Sequence, residues 1–141
     1  MQKYLGRISG PLLDRIDLHI EVPQVQFRDI TGERTGEDSA QIRTRVIAAR
    51  QRQLVRFKER PRITCNARMG PREVKQVCRL TADTLELLKF AMADLNLSAR
   101  AYDRVLKVAR TIADLAGVEE LTSDHVSEAI QYRSLDRQIW T

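Results

Sequence analysis

Apolar and polar residues between Leu97 and Leu115 recur with the period of an α-helix. Projected at about 100° per residue, the apolar side chains fill one half of the helix and the polar ones the other half. Ser98 is a favoured N-cap and Gly117 a favoured C-terminal stop, so the pattern predicts a helix over residues 99–116. The apolar half, predicted to be buried, comprises Ala101, Tyr102, Val105, Leu106, Val108, Ala109, Ile112, Ala113, Leu115 and Ala116. The polar half, predicted to face solvent, comprises Arg100, Asp103, Arg104, Lys107, Arg110, Thr111 and Asp114.

The signal that starts this helix occurs three times in the second half of the chain. A leucine precedes a hydroxyl residue at positions 80–81, 97–98 and 121–122, and each pair predicts a helix start. The three helices are expected over about 82–95, 99–116 and 123–133. Short connections favour antiparallel packing of successive helices, with the 99–116 helix at the centre.

Two further helices are predicted upstream. Asp38 followed by Gln41 is a capping-box pattern, and the proline-free stretch behind it predicts a long helix over about 38–58. Pro71 favours the first position of a short helix that runs to about Arg79, after an irregular stretch at 61–69. The predicted fold class is therefore mainly α, a helical bundle.

Residues 16–22 carry the alternating pattern of a half-buried β-strand. His19 falls on the polar side of this strand and is expected at the surface. Because one strand cannot form a sheet, we expect it either to pair with a second molecule or to be the remnant of a larger sheet whose other strands lie outside this sequence. Residues 23–37 resemble a flexible linker, so we expect a loosely packed unit over 1–37 and a second domain over 38–141. The apolar side of the predicted strand comprises Ile16, Leu18, Ile20 and Val22.

Composition limits the possible functions. The 141 residues carry a net charge of +5, which permits a nucleic acid or nucleotide partner without proving one. Cys65 and Cys78 have no metal-ligand spacing, so we predict no metal site and two reduced thiols. No apolar run reaches the roughly 18 residues of a membrane span and no secretion signal is present, so we expect a cytoplasmic protein without a membrane partner.

The predicted 38–58 helix and the residues after it are strongly basic. Eight Arg and Lys residues stand between Arg43 and Arg62, against the single acidic Glu59. Such a run is usually a solvated face and less often a nucleic-acid surface. Arg45, Arg52 and Arg56 are the candidates for DNA contact.

The chain lacks the motifs of a self-contained nucleotide hydrolase. It contains no G-x-x-x-x-G-K-[ST] phosphate loop and no apolar strand that ends in paired acids. No serine or cysteine stands in a catalytic signature. We therefore expect neither ATP hydrolysis nor a bound cofactor from this chain alone.

Three stretches together resemble the C-terminal part of the Mg-chelatase-like AAA+ ATPases of the ComM/YifB type. They are SGPLLDRIDLHIEVP at 9–23, LSARAYDRVLKVARTIADL at 97–115 and HVSEAIQYRSLDR at 125–137. The resemblance implies that 1–37 is the C-terminal edge of the AAA+ core with a linker, and that 38–141 is the helical lid. It also implies that the full-length protein binds ATP and Mg²⁺, because in that family the phosphate loop, Walker B acids and sensor 1 residue precede this segment.

The resemblance assigns roles to two arginines. Arg15, in LLDRID, takes the place of the arginine finger, which reaches the nucleotide of the next subunit in a ring. Arg100, in LSAR, takes the place of the sensor 2 arginine, which reaches a phosphate in its own subunit. The residues alone favour simpler roles, a surface salt bridge with Asp14 or Asp17 for Arg15 and a solubilising side chain for Arg100.

Three function classes follow from these observations. The family resemblance implies a ring-forming motor, expected to be a hexamer, whose partners are its own AAA+ core and neighbouring subunits. Its substrate would be DNA, in branch migration or recombination during natural transformation. The second class is a chelatase-like or chaperone-like ATPase that remodels a protein complex, and the third is an interaction module that needs no nucleotide.

Overall fold

The computed structural model of this protein describes residues 12, 15–20, 22–25 and 36–133. This part of the chain forms a helical bundle, which confirms the mainly α fold class. A short 3₁₀ turn, Asn66–Arg68, lies between the first two helices. The α-helices of the described residues are α1 Ser39–Arg56, α2 Pro71–Val77, α3 Ala82–Asp94, α4 Ala99–Ala116 and α5 Ser123–Gln131.

Most helix ends lie where the capping residues predict them. The Asp38 carboxylate accepts from the Gln41 N–H at 2.7 Å, and the Gln41 side chain accepts from the Asp38 N–H at 3.3 Å, completing the capping box. Ser98 Oγ accepts from the Ala101 N–H at 3.2 Å. Gly117 closes α4 in the left-handed conformation, with φ of 78°, which disfavours side chains larger than hydrogen. The predicted starts and ends of α1 and α4 are therefore confirmed.

Helix α4 is the centre of the bundle, as its two-sided pattern predicts. It packs against α1, α2, α5 and the 3₁₀ turn, while α3 packs mainly against α5. Ala101, Val105 and Ala109 on α4 are almost completely buried. The connected apolar core comprises Phe57, Met69, Val74, Cys78, Leu88, Val105, Leu106, Ala109, Ala113, Leu121, Val126 and Ala129.

The prediction that the whole polar half of α4 faces solvent is wrong. Arg110 and Asp114 are each only 2% exposed. They are buried because α1 and the loop after α4 supply partners for both charges, as described below.

The buried face of α1 also differs from the one that its apolar residues suggest. Only Ala49 and Gln53 are buried within the helix, followed by Phe57 at its end. The expected apolar side is 42% to 60% exposed in the residues Ile42, Val46, Ile47 and Leu54. The bundle covers only the C-terminal half of α1, because every residue from 39 to 48 is exposed.

The described residues of the 16–22 segment form no β-strand. The part of the chain that the structure describes contains no other strand to supply the ladder hydrogen bonds that a strand requires. The predicted orientation is also inverted: His19 is 7% exposed, whereas Ile16, Leu18 and Ile20 are 39% to 66% exposed. Both the strand and the surface position of His19 were therefore wrong, since the segment packs on the bundle instead of on a sheet.

None of the helices in the described residues combines the length and the apolar composition of a membrane span. The same part of the chain contains no cluster of three or more His, Cys, Asp or Glu side chains that could hold a metal. Cys65 and Cys78 are free thiols, and burial raises the pKa of Cys78 to about 11.

Candidate nucleotide-contacting surface

Arg100 lies at the start of the central helix. It is the second residue of α4, two positions after the Ser98 cap, and it is exposed. A cation in the first turn opposes the helix dipole by a few tenths of a kcal/mol, so the position is not explained by helix stability. The next residue, Ala101, is fully buried, so the packing of α4 fixes the backbone beside the exposed Arg100.

Arg15 lies in a segment that is docked onto the end of the bundle. Its backbone N–H donates to the Leu12 carbonyl at 3.0 Å, closing a turn, and its side chain is exposed. The segment behind it is pinned by the His19 N–H, which donates to the Tyr132 carbonyl at 2.8 Å. The guanidinium of Arg133, only 1% exposed, donates to the Ile16 carbonyl. These hydrogen bonds attach residues 16 and 19 to the bundle, although every described residue from 15 to 25 except His19 remains exposed.

A side-chain contact joins the Arg15 segment to α4. Arg104 donates to the Asp17 carboxylate, and the Asp17 and Arg104 side chains are 50% and 27% exposed. Asp17, which the sequence suggests as a possible partner of Arg15, forms an ion pair with Arg104. The sequence gives no signal of this contact, because the two partners are 87 positions apart.

The three arginines proposed for DNA contact lie in different environments. Arg45 forms two hydrogen bonds to the Glu37 carboxylate, at 2.8 and 2.9 Å, on an exposed surface. Arg52 is exposed and lines an open cleft of about 540 Å³ together with Glu119. The side chain of Arg56 is only 12% exposed and turns into the bundle.

Arg56 belongs to a buried polar network that joins α1 to α4. Its guanidinium binds both oxygens of Asp114, at 2.5 and 2.8 Å. The Asn66 side chain adds a hydrogen bond to Asp114 at 2.8 Å. Arg110 approaches Asp114 at 3.3 Å and also donates to the Val118 carbonyl at 2.7 Å, which holds the loop after α4. This network gives Arg56 a structural role inside the bundle.

The pKa values of the network follow from its burial and pairing. Burial alone would raise the pKa of Asp114, but hydrogen bonds from Arg56 and Asn66 outweigh it, so the pKa lies below its usual value. The hydrogen bond to Asp114 raises the pKa of Arg56. Burial lowers the pKa of Arg110. The i, i+4 spacing of Arg110 and Asp114 was the only signal of this network in the sequence, and it is equally typical of an exposed pair.

Comparison with known families identifies the bundle. Residues 36–133 match the family described as magnesium chelatase, subunit ChlI C-terminal. The chain belongs to this family. Residues 1–30 match the family described as magnesium chelatase, subunit ChlI.

Named relatives agree with the family match. Competence protein ComM of Haemophilus influenzae is 42% identical over 139 residues, which cover 97% of this chain and 26% of the relative. The uncharacterized protein YifB of Salmonella typhimurium is 42% identical over 136 residues, or 96% of this chain. YifB of Escherichia coli is 41% identical over 139 residues. The resemblance to Mg-chelatase-like proteins of the ComM/YifB type is thus confirmed, and the chain spans about a quarter of each relative, 26%.

Proposed function

We propose that this ChlI C-terminal bundle is the lid of a ring-forming AAA+ ATPase, and that Arg15 and Arg100 contact nucleotide phosphates. The observation that carries the proposal is the exposed position of Arg100 at the capped start of α4. A forked, permanently charged group suits the charge of a phosphoryl group, and lid movement would carry it to or from the nucleotide.

The two arginines act on different nucleotides in this proposal. Arg100 serves as the sensor 2 residue of its own subunit, and Arg15 serves as the arginine finger for the next subunit of the ring. ATP and Mg²⁺ are bound by the remainder of the full-length protein, which supplies the phosphate loop and the acidic residues. The ring is proposed to be a hexamer.

ATP turnover of the full-length protein tests both assignments. An arginine finger can contribute about 10³ to 10⁵ in rate, so Arg15→Ala should depress turnover strongly. Arg100→Ala should also do so, because it removes a charge-stabilising donor. Arg72→Ala, at an exposed position on α2, is the matched control and should leave turnover unchanged. Normal turnover in either test variant would remove that residue from the site.

Mixing of subunits separates the two roles. Arg15→Ala subunits mixed with subunits that lack a working phosphate loop should regain turnover, because the partner's arginine reaches the intact pocket of the variant. Arg100→Ala subunits should not recover, because neither kind of subunit then has a complete pocket. Equal recovery of both variants would refute the division of roles.

We propose DNA as the substrate that the motor remodels, in branch migration or recombination. The support is the basic run on and after α1, with Arg43, Arg50 and Arg52 exposed, and the name of one relative, competence protein ComM. Arg45 would have to exchange its Glu37 partner for a phosphate, and Arg56 remains committed to Asp114.

Binding to forked DNA over a range of salt concentrations tests this substrate. Arg45→Gln and Arg52→Gln should each weaken binding and lower the slope of log K against log salt by about 1. Lys89→Gln, an exposed change on α3, is the control and should leave the slope unchanged. Absence of salt-dependent binding would favour the second candidate, remodelling of a protein complex, which the description of the family as a magnesium chelatase subunit supports.

A further inference from the structure

The segment that carries Arg15 is attached to the lid at three points. Arg104 on α4 binds the Asp17 carboxylate. Arg133 donates to the Ile16 carbonyl, and the His19 N–H donates to the Tyr132 carbonyl at 2.8 Å. Two of these contacts involve backbone groups of the segment, so they restrain the path of the chain and not only one side chain.

The attachment links the position of Arg15 to the position of Arg100. Asp17 is two residues from Arg15 in the sequence. Arg104 is four residues from Arg100 on the same helix, and residues four apart share a helix face. The Asp17–Arg104 contact therefore ties the turn of Arg15 to the α4 face that carries Arg100.

We propose that Asp17, Arg104 and Arg133 are positioning residues that make Arg15 move with the lid. This inference rests on the proposed function of Arg15 and Arg100. When the lid moves in response to the nucleotide of its own subunit, the same rigid movement carries Arg15 toward or away from the neighbour's nucleotide. The lid and the attached Arg15 segment would then move as one rigid body between two positions, and this movement would couple adjacent nucleotide sites.

The three attachments differ in strength. Arg133 is 1% exposed, so its hydrogen bond to Ile16 is shielded from water and its replacement also threatens the fold. Asp17 and Arg104 are partly exposed, at 50% and 27%, and their replacement leaves the core intact. An exposed ion pair of this kind shifts an equilibrium by roughly twofold to fivefold. The Asp17–Arg104 pair is therefore the place to test the inference.

A double-mutant cycle in the full-length protein provides the test. Asp17→Asn and Arg104→Gln should each lower kcat for ATP by about twofold to fivefold, with KM unchanged, because Arg15 acts only in the transition state. The double variant should be no slower than the slower single variant. The exchanged pair, Asp17→Arg with Arg104→Asp, should recover turnover. Glu86→Gln, which breaks the exposed ion pair with Lys89, is the control and should leave turnover unchanged.

Subunit mixing adds a readout that a purely structural role would not change. When Asp17→Asn subunits are mixed with subunits that lack a working phosphate loop, turnover per intact nucleotide pocket should rise toward that of the unmodified protein. The partner then supplies a correctly held Arg15. Recovery in the mixture, together with a non-additive cycle, supports the positioning role.

The outcomes separate this inference from the function on which it rests. If Arg15→Ala leaves turnover unchanged, the proposed function of Arg15 fails. If Arg15→Ala depresses turnover but Asp17→Asn behaves like Glu86→Gln, only the positioning role fails. Additive losses in the cycle, or no recovery in the exchanged pair, would also overturn it.

Discussion

The two ends of α4 use the same kind of charged residue in opposite ways. At the start of the helix, Arg100 is exposed on a turn that Ser98 caps. Near its end, Arg110 and Asp114 are each 2% exposed and bind α1 and the following loop. The residue type therefore does not reveal what each arginine does. Burial and hydrogen-bond partners distinguish the arginines that stabilise the fold from those that a ligand can reach.

The largest effect on stability is expected at the buried end. Asp114→Ala leaves the charges of Arg56 and Arg110 without their carboxylate, and breaking a buried ion pair typically costs about 3–5 kcal/mol. Urea unfolding should measure this loss. Asp103→Ala, at a partly exposed position of the same helix, is the matched control and should change the free energy of unfolding by about 0.5 kcal/mol or less. Equal effects would mean that the network contributes no more than a surface charge.

The pH dependence of stability tests whether Asp114 is ionised and paired in the folded protein. The pKa of Asp114 is lowered from 3.8 in the folded protein. Its stabilisation is therefore complete above the unfolded pKa and is lost as the pH falls through the lower, folded pKa. Unfolding measured from pH 6 to pH 2 should show a fall in stability below about pH 4 that is smaller in Asp114→Asn than in the unmodified chain. Identical acid profiles would contradict the paired state of this carboxylate.

A smaller loss is expected when the cap at the exposed end is removed. Ser98→Ala deletes the acceptor for the Ala101 N–H and should lower the free energy of unfolding by about 1 kcal/mol. Ser123→Ala, at an exposed first position of α5, is the control. A loss at Ser98 no larger than the control would show that tertiary packing, and not the cap, holds the start of α4.

The sequence was sufficient for the helices because their signals are local. Asp38, Ser98 and Gly117 each act within one turn of the chain, so their effects can be predicted without knowledge of the fold. The family motifs around Arg15 and Arg100 were also readable, and the structure places both side chains at the surface.

The errors arose where distant partners decide burial. Asp114 is buried because Arg56 and Asn66, 58 and 48 residues away, satisfy its carboxylate. His19 is buried where its segment lies against the residue after α5, Tyr132, whose carbonyl accepts the His19 N–H, although alternation predicts an exposed side chain. No periodicity within a single element contains this information.

Arg100→Ala provides the most direct test of the contrast between the two ends of α4. Turnover of ATP by the full-length protein and its free energy of unfolding should be measured on the same preparation, beside Arg72→Ala. We predict that turnover falls by about 10² to 10³, as for loss of a preorganised donor, while stability changes by about 0.5 kcal/mol or less. Unchanged turnover, or a loss of stability large enough to explain the lost activity, would contradict the assignment of Arg100 to the nucleotide.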